Sequence, residues 1–533
     1  MNQYEMIELI FNGDEPVGSH VDVNLFVEFE NDEKVTNVKG FYAGNSIYKV
    51  RFLPEQTGFY KYKVKGIIED SGSFVVKPPK ENKKGLVKTD GTHLKFKDET
   101  YYFPFGTTVY ALAHQTNELI EETFNSLKNS AFNKVRMCVF PKHYNYNHND
   151  PEEFAFNLLP NKEYKKNIVS NMTLDFEYIW DVNRPNFCFW DNFEDKIKRL
   201  DDLGIQVDLI LFHPYDRWGF SSLTQKDNLT YIDYLLRRFS AMPNIWWSLA
   251  NEYDLCFGKT LDDWYEIENF IAENDPYQHL LSNHNCFSLY DFSREKITHC
   301  SIQKRTFNLV NELQEKFNKP VLYDECVYEG NLKETWGAIS GKEMVNRFWK
   351  VVSTGGYCTH GEVLLDRDIE DPNEAVLWWA KGGKLRGESP KRIEFLRGIL
   401  EEIGKPLNPR LVGLDKITHL PKETAIAMAG QVYPGFDKFI NNIFSMDEKE
   451  RLRHMDAEAN YAGNTEDESA ILYYYGSDCC GTAALDLPED KTYKIEVIDA
   501  WNMTREAILD NGSGNIEVKL PGREYIAVLA TMN

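Results

Sequence analysis

The chain has 533 residues, 42% of them hydrophobic and 14% aromatic, and a formal charge of -23 from 60 basic and 83 acidic side chains. That length exceeds a single ordinary core and calls for several domains, and the apolar content excludes a disordered chain. An acidic surface repels phosphate backbones and anionic membranes, so nucleic acid and membrane are not expected as partners and neutral ligands are favoured.

The first 79 residues alternate apolar and polar positions in strand fashion: Asp22 to Glu30, Ser46 to Phe52, Gly58 to Val64 and Gly72 to Val76. Period-two runs broken by Gly, Asn and Pro predict a small antiparallel, Ig-like β-sandwich over residues 1–79. Pro78-Pro79 and the charged stretch Lys80 to Lys84 mark its exit linker.

Over residues 86–406 apolar strands alternate with helical stretches, the pattern of βα units on a parallel sheet. The expected strands are Tyr102 to Tyr110, Lys134 to Phe140, Gln206 to Phe212, Ile245 to Ala250, Leu280 to Asn283, Thr298 to Ile302, Pro320 to Tyr323 and Gly355 to Thr359. Eight such units predict a (β/α)8 barrel with room for long βα loops. The clearest helix is Asp191 to Leu203, closed by Gly204 as its C-cap glycine.

After Pro406 the chain returns to strands at Ile471 to Tyr475, Tyr493 to Trp501, Asn515 to Leu520 and Tyr525 to Leu529. A C-terminal β-sandwich over residues 408–533 is expected, with Asp510-Asn-Gly-Ser-Gly as a hairpin turn. The nine cysteines form no CxxC pair, and the start lacks a basic n-region and an apolar core, so a reducing, cytoplasmic location is expected. No run approaches the ~20 apolar residues that span a bilayer. Asn-x-Thr triplets at Asn171, Asn228 and Asn502 are read as chance matches to a glycosylation signal.

Two carboxylates stand where a hydrophobic run gives way to polar residues: Glu252, after Ile245-Trp-Trp-Ser-Leu-Ala-Asn, and Glu325, after Val321-Leu-Tyr-Asp. A parallel barrel presents catalytic side chains at such C-terminal strand ends. Cleavage of a glycosidic bond needs two of them, one to protonate the leaving oxygen and one to attack the anomeric carbon or activate water. Asp324, Glu329 and Glu362 are the rivals of Glu325.

Asn251-Glu252 ending the fourth strand and Glu325 ending the seventh resemble clan A glycoside hydrolases. Leu211-Phe-His-Pro-Tyr-Asp-Arg-Trp-Gly-Phe, Trp246-Trp-Ser-Leu-Ala-Asn-Glu-Tyr-Asp, Thr298-His-Cys-Ser-Ile-Gln, Asp324-Glu-Cys-Val-Tyr-Glu-Gly, Tyr357-Cys-Thr-His-Gly-Glu and Trp378-Trp-Ala-Lys-Gly-Gly look like the apiosidase-like group, whose barrel is flanked by two β-sandwiches. The resemblance implies that Glu252 is the general acid/base and Glu325 the nucleophile of a retaining enzyme. It implies that Asn251 bonds the hydroxyl beside the anomeric carbon and that Arg136 pairs with the nucleophile; a helix cap for Asn251 and an outward-facing ion pair for Arg136 are the plainer alternatives. The eighth strand lacks the tryptophan common in that clan.

His213 and Tyr215 follow the third strand, His284 the fifth, Gln303 the sixth and His360 the eighth, so all fall on the catalytic rim as candidate sugar contacts. Trp378 and Trp379 lie in the loop after strand eight, where an indole can stack on a sugar face; one of the two is core and Trp378 is the expected platform, while Asp216 with Arg217 is an internal pair bracing a loop. Histidine spacing gives no HExxH, Asp366 to Asp371 lacks the glycine and terminal glutamate of a calcium loop, and neither a phosphate-binding glycine motif nor GxSxG is present. No metal and no cofactor are therefore expected. The reading is a retaining glycoside hydrolase of short oligosaccharides or glycosides, with a homo-oligomer possible. A non-catalytic carbohydrate-binding or assembly protein and a transglycosylase are the alternatives.

Overall fold

The computed structural model describes residues 1–164, 177–366, 371, 373–412, 420–432, 434–447 and 461–533. The Asn171 triplet lies outside them, as do residues 367–370 of the acidic loop between Asp366 and Asp371. The chain forms two compact units: one of Met1–Arg305, Leu313–Met344 and Tyr357–Glu394, the other of Thr306–Glu312, Val345–Gly356 and Phe395–Asn533.

The first unit holds an eight-stranded parallel sheet: β1 Phe105–Thr108, β2 Lys134–Cys138, β3 Gln206–Phe212, β4 Ile245–Ala250, β5 Leu281–Ser282, β6 Cys300–Gln303, β7 Val321–Glu325 and β8 Tyr357–His360. Its order is β5-β4-β3-β2-β1-β8-β7-β6, a ring nearly closed into a barrel. The seam between β5 and β6 is bridged by Thr298 N–H to the Leu281 carbonyl at 2.8 Å and by Ser282 Oγ to the His299 carbonyl at 2.6 Å. Every residue of β3 and β4 is buried, because helices cover the outer face and packed side chains the inner one. Each of the eight strand expectations meets an observed strand, although β1 and β5 are shorter than the apolar runs that announce them.

The surrounding helices are stopped by the residues that sequence logic requires. Thr116, Thr224 and Thr260 accept N-cap bonds, the last within a capping box completed by Asp263. Helix Phe187–Asp202 ends two residues before Gly204, whose φ of 70° a residue with a Cβ adopts only at a cost. Inside the barrel, Lys134 pairs with Asp324 and, at 3.1 Å, with Asp208, which also takes Arg136 Nε at 3.1 Å. This buried charge cluster forms the floor beneath the strand ends.

At the N-terminus, antiparallel sheets of four strands (Val35–Lys39, Leu25–Glu30, Gly58–Gly66, Asp70–Val76) and three (Ile7–Asn12, Ile47–Phe52, Phe41–Tyr42) enclose Leu25, Val27, Phe29, Val50 and Phe52. Arg51, 1% exposed, leaves this sandwich to bond Glu194 at 2.6 Å and the Arg238 carbonyl at 2.7 Å on the barrel's helices.

The second unit carries a six-stranded antiparallel sheet of Asn408–Pro409, Tyr461–Asn464, Ala470–Tyr474, Ile526–Met532, Tyr493–Asp499 and Thr504–Gly512, plus the pair Thr482–Asp486 and Asn515–Lys519. The hairpin expected around Asp510 to Gly514 does not form. Thr504–Gly512 pairs with Tyr493–Asp499, whereas Asn515–Lys519 pairs with Thr482–Asp486, so the turn carries the chain from one sheet to the other. Helices Lys422–Val432 and Phe436–Ser445 were not anticipated.

Candidate active site

Glu252 is the second residue beyond β4 and takes a left-handed backbone, φ 59° and ψ 59°. Its amide lies 3.4 Å from Nδ1 of His284, whose carbonyl accepts the next amide, Tyr253, at 2.9 Å. This clamp turns the side chain into the barrel mouth, where Oε2 accepts the phenol of Tyr215 and lies 3.1 Å from the Asn251 amide. Burial, and then the charge of Glu325, push the Glu252 carboxyl up to about 7, against the ammonium of Lys142 and hydrogen bonds from Tyr215 and Cys286.

Glu325 closes β7. Its Oε1 accepts the phenol of Tyr110, the second residue beyond β1, and lies 3.9 Å from Arg136 Nη1. The Tyr110 oxygen is also 2.8 Å from Asn251 Oδ1 and 3.4 Å from the phenol of Tyr328. Thus a continuous chain of contacts runs Glu325–Tyr110–Asn251–Glu252. Val327, two residues after Glu325, has a φ of 71°, strain that a β-branched residue adopts only under constraint.

The rivals of Glu325 are engaged elsewhere. Asp324 is fully buried, bonded to Lys134, to Ser301 Oγ at 2.6 Å and to Thr359 Oγ1 at 3.0 Å, and the cations beside it hold its carboxyl far below the usual range. Glu362 accepts the amides of Arg386 and Gly387, and Glu329 those of Glu388 and Ser389. With His360 these two glutamates bring three potential ligand atoms within 4.8 Å of one another, yet all four carboxylate oxygens already receive backbone amides.

Of the residues singled out from sequence, the structure gathers Glu252, Glu325, Asn251, Arg136, Tyr215 and His284. Arg136 faces the interior, with Asp208 its nearer partner at 3.1 Å. Gln303 stands one step away, its Nε2 3.8 Å from Cys286 Sγ. His213 does not join them: Nε2 meets the Phe140 carbonyl at 3.2 Å, and the ring lines a separate apolar pocket with Phe212, Phe220, Leu255 and Phe257. His360 stacks on Phe132 at 4.8 Å and bonds Thr107 Oγ1, which also accepts the Trp378 indole N–H at 2.7 Å. Trp378 is thereby core, 1% exposed, and cannot offer a sugar platform. Asp216 and Arg217 do not pair either; Asp216 accepts the amides of Trp218 and Ser221, and Arg217 bonds Asp150 at 2.6 Å.

Trp379, itself only 6% exposed, heads an aromatic wall that backs onto the hydrophobic core. Trp379 lies 4.5 Å from Tyr144, 5.0 Å from Trp336, 5.8 Å from Tyr328 and 6.2 Å from Tyr110. Sequence reading missed Tyr110, Lys142, Tyr144, Cys286, Tyr328 and Trp336, and of the two adjacent tryptophans it preferred Trp378 to Trp379. Tyr110 was recoverable, since it closes the first expected strand, and Tyr328 lies within the motif around Glu325. The others sit on long connections without periodicity, Trp336 and Trp379 on short helical turns within them.

Comparison with known proteins places the chain among the glycoside hydrolases. The crystal structure of a Bacteroides vulgatus ATCC 8482 protein assigned as a glycoside hydrolase is 31% identical, superposes with a TM-score of 0.82, and matches 100% of this chain and 99% of its own. A glycoside hydrolase family 5 structure from the same organism, 16% identical over 85% of this chain and 94% of its own, shares the fold with a TM-score of 0.55. The first of these and the family match below make this chain a glycosidase. Residues 88–365 match the family described as apiosidase-like, catalytic domain, and the chain belongs to that family. Residues 1–66 and 458–531 match two families each described as a domain of unknown function. No curated protein matches the chain.

Proposed function

We propose that the chain hydrolyses glycosides of short saccharides with retention of configuration, using Glu252 as general acid/base and Glu325 as nucleophile. The observation that carries this reading is the contrast between two carboxylates joined through one phenol and one amide: Glu252 has its proton affinity raised to about 7, whereas Glu325 lies 3.9 Å from a guanidinium. In the first step Glu325 attacks the anomeric carbon while Glu252 gives its proton to the leaving oxygen. In the second, Glu252 takes a proton from water, which releases the sugar from Glu325.

Asn251, between the two carboxylates, suits a contact to the hydroxyl next to the anomeric carbon, and Trp379 with Tyr144 suits stacking against a sugar face. A transglycosylase would use the same covalent intermediate and differ only in its acceptor.

The test is a panel of aryl glycosides of xylose, glucose, mannose, galactose, arabinose and apiose, run with wild type and Glu325→Ala. Hydrolysis that Glu325→Ala leaves undiminished would sink the nucleophile assignment. The first-formed anomer, read by proton NMR, separates retention from inversion.

A further inference from the structure

Lys142 follows β2 on the loop that begins at Val139 and is 3% exposed. Its Nζ lies 3.4 Å from the ring centroid of Tyr110, 4.5 Å from that of Tyr215 and 5.2 Å from that of Tyr144. Among the described residues no carboxylate comes within ion-pair distance of it, so the ammonium is held by π faces, whose quadrupoles attract a desolvated cation. Two of those rings are the phenols that hold the site: Tyr110 donates to Glu325, and Tyr215 to Glu252.

We infer that Lys142 is a positioning residue for the glycosidase reaction: its ammonium, seated on the ring faces of Tyr110 and Tyr215, locks both phenols, and with them Glu325 and Glu252, while facing the two carboxylates with one positive charge. The inference rests on the two-glutamate reading above. A neutral side chain of the same length would fill the space and lose both effects. An arginine keeps a cation that aromatic faces accept.

Burial draws the Lys142 ammonium below the ordinary lysine range, against the pull of the Glu252 and Glu325 carboxylates. The groups that face Glu252 are Glu325, Lys142, the Tyr215 phenol and the Cys286 thiol; those that face Lys142 are Cys138, Glu252, Glu325 and Arg136. Lys142 draws the Glu252 carboxyl down against burial and Glu325. Without it, Glu252 holds its proton to higher pH.

The test compares wild type, Lys142→Met and Lys142→Arg in the full chain, with Glu252→Gln to identify the carboxyl signal. Infrared difference spectra follow the protonated Glu252 carboxyl during a pH titration and need no substrate. Its midpoint is expected to move to higher pH in Lys142→Met and to return toward wild type in Lys142→Arg. In parallel, on the best aryl glycoside of the panel, kcat is expected to fall on the order of 100-fold in Lys142→Met, as misplacement of reacting groups costs, with KM little changed and partial recovery in Lys142→Arg. An unmoved carboxyl midpoint, or a rise in KM with kcat intact, overturns the proposal; the second result makes Lys142 a substrate-binding cation. If wild type cleaves no glycoside, the two-glutamate reading fails while the infrared arm still decides the positioning role.

Discussion

The phenolic oxygen of Tyr110 stands 2.8 Å from Oδ1 of Asn251 while donating to Oε1 of Glu325. A phenol has one proton, and here two acceptors face it. That proton serves one acceptor at a time, and Asn251, whose Nδ2 donates to Oε2 of Glu252 at 3.1 Å, ties the two carboxylates into one hydrogen-bonded unit.

Tyr110→Phe deletes the shared donor and leaves the shape of the ring. The expected result is a fall in kcat/KM of roughly 100-fold or more, the scale for a donor aimed at charge that changes during reaction. Steady-state kinetics on an aryl glycoside would show it, with circular dichroism reporting an unchanged fold.

The Glu252 carboxyl, pushed up to about 7, supplies its proton below that pH and loses it above. The basic limb of kcat/KM should accordingly fall near pH 7, and Glu252→Gln should lose that limb. Because the acid assists departure of the leaving group, the loss in Glu252→Gln should be large for a 4-methoxyphenyl glycoside and small for a 2,4-dinitrophenyl one. Equal losses on both would remove Glu252 from the role of acid.

Adjacent tryptophans should separate cleanly. Trp379→Ala opens the aromatic wall against Tyr144 and Trp336, and should raise KM several-fold or more. Trp378→Phe leaves Thr107 Oγ1 without the indole N–H and should cost about 1 kcal/mol in urea unfolding with little kinetic change.

Arg51→Met leaves Glu194 buried with a partner removed. Breaking such a pair costs about 3 kcal/mol or more, visible as a lower urea midpoint. A midpoint unchanged from wild type would show that the sandwich is held to the helices by its apolar surface alone.

The barrel was legible because strands covered on both faces must be apolar almost throughout, so β3 and β4 read as mainly apolar runs, interrupted by Asp208 and Ser248, that end at polar residues. The same rule put Asn251, Glu252 and Glu325 at strand ends. It says nothing about Lys142, Tyr144, Trp336 and Trp379, which converge from loops after different strands, and whose meeting depends on loop paths that no period encodes. Trp378 and Trp379 are neighbours in sequence with opposite fates, set by which one points at Thr107. Helix Phe436–Ser445 had a signal, since Phe436, Phe439, Ile440 and Ile443 recur at helical spacing, but the expectation of strands after Pro406 passed over it.

Residue 252 carries two costs to stability. Its left-handed backbone costs roughly 1–3 kcal/mol for a side-chain-bearing residue. Its proton adds a second burden: the folded value of about 7 lies above the unfolded 4.5, so the carboxyl's contribution to stability is complete below 4.5 and is lost as pH rises through 7. Glycine there would relieve both costs, so a Glu252→Gly chain should outlast the wild type in alkaline solution.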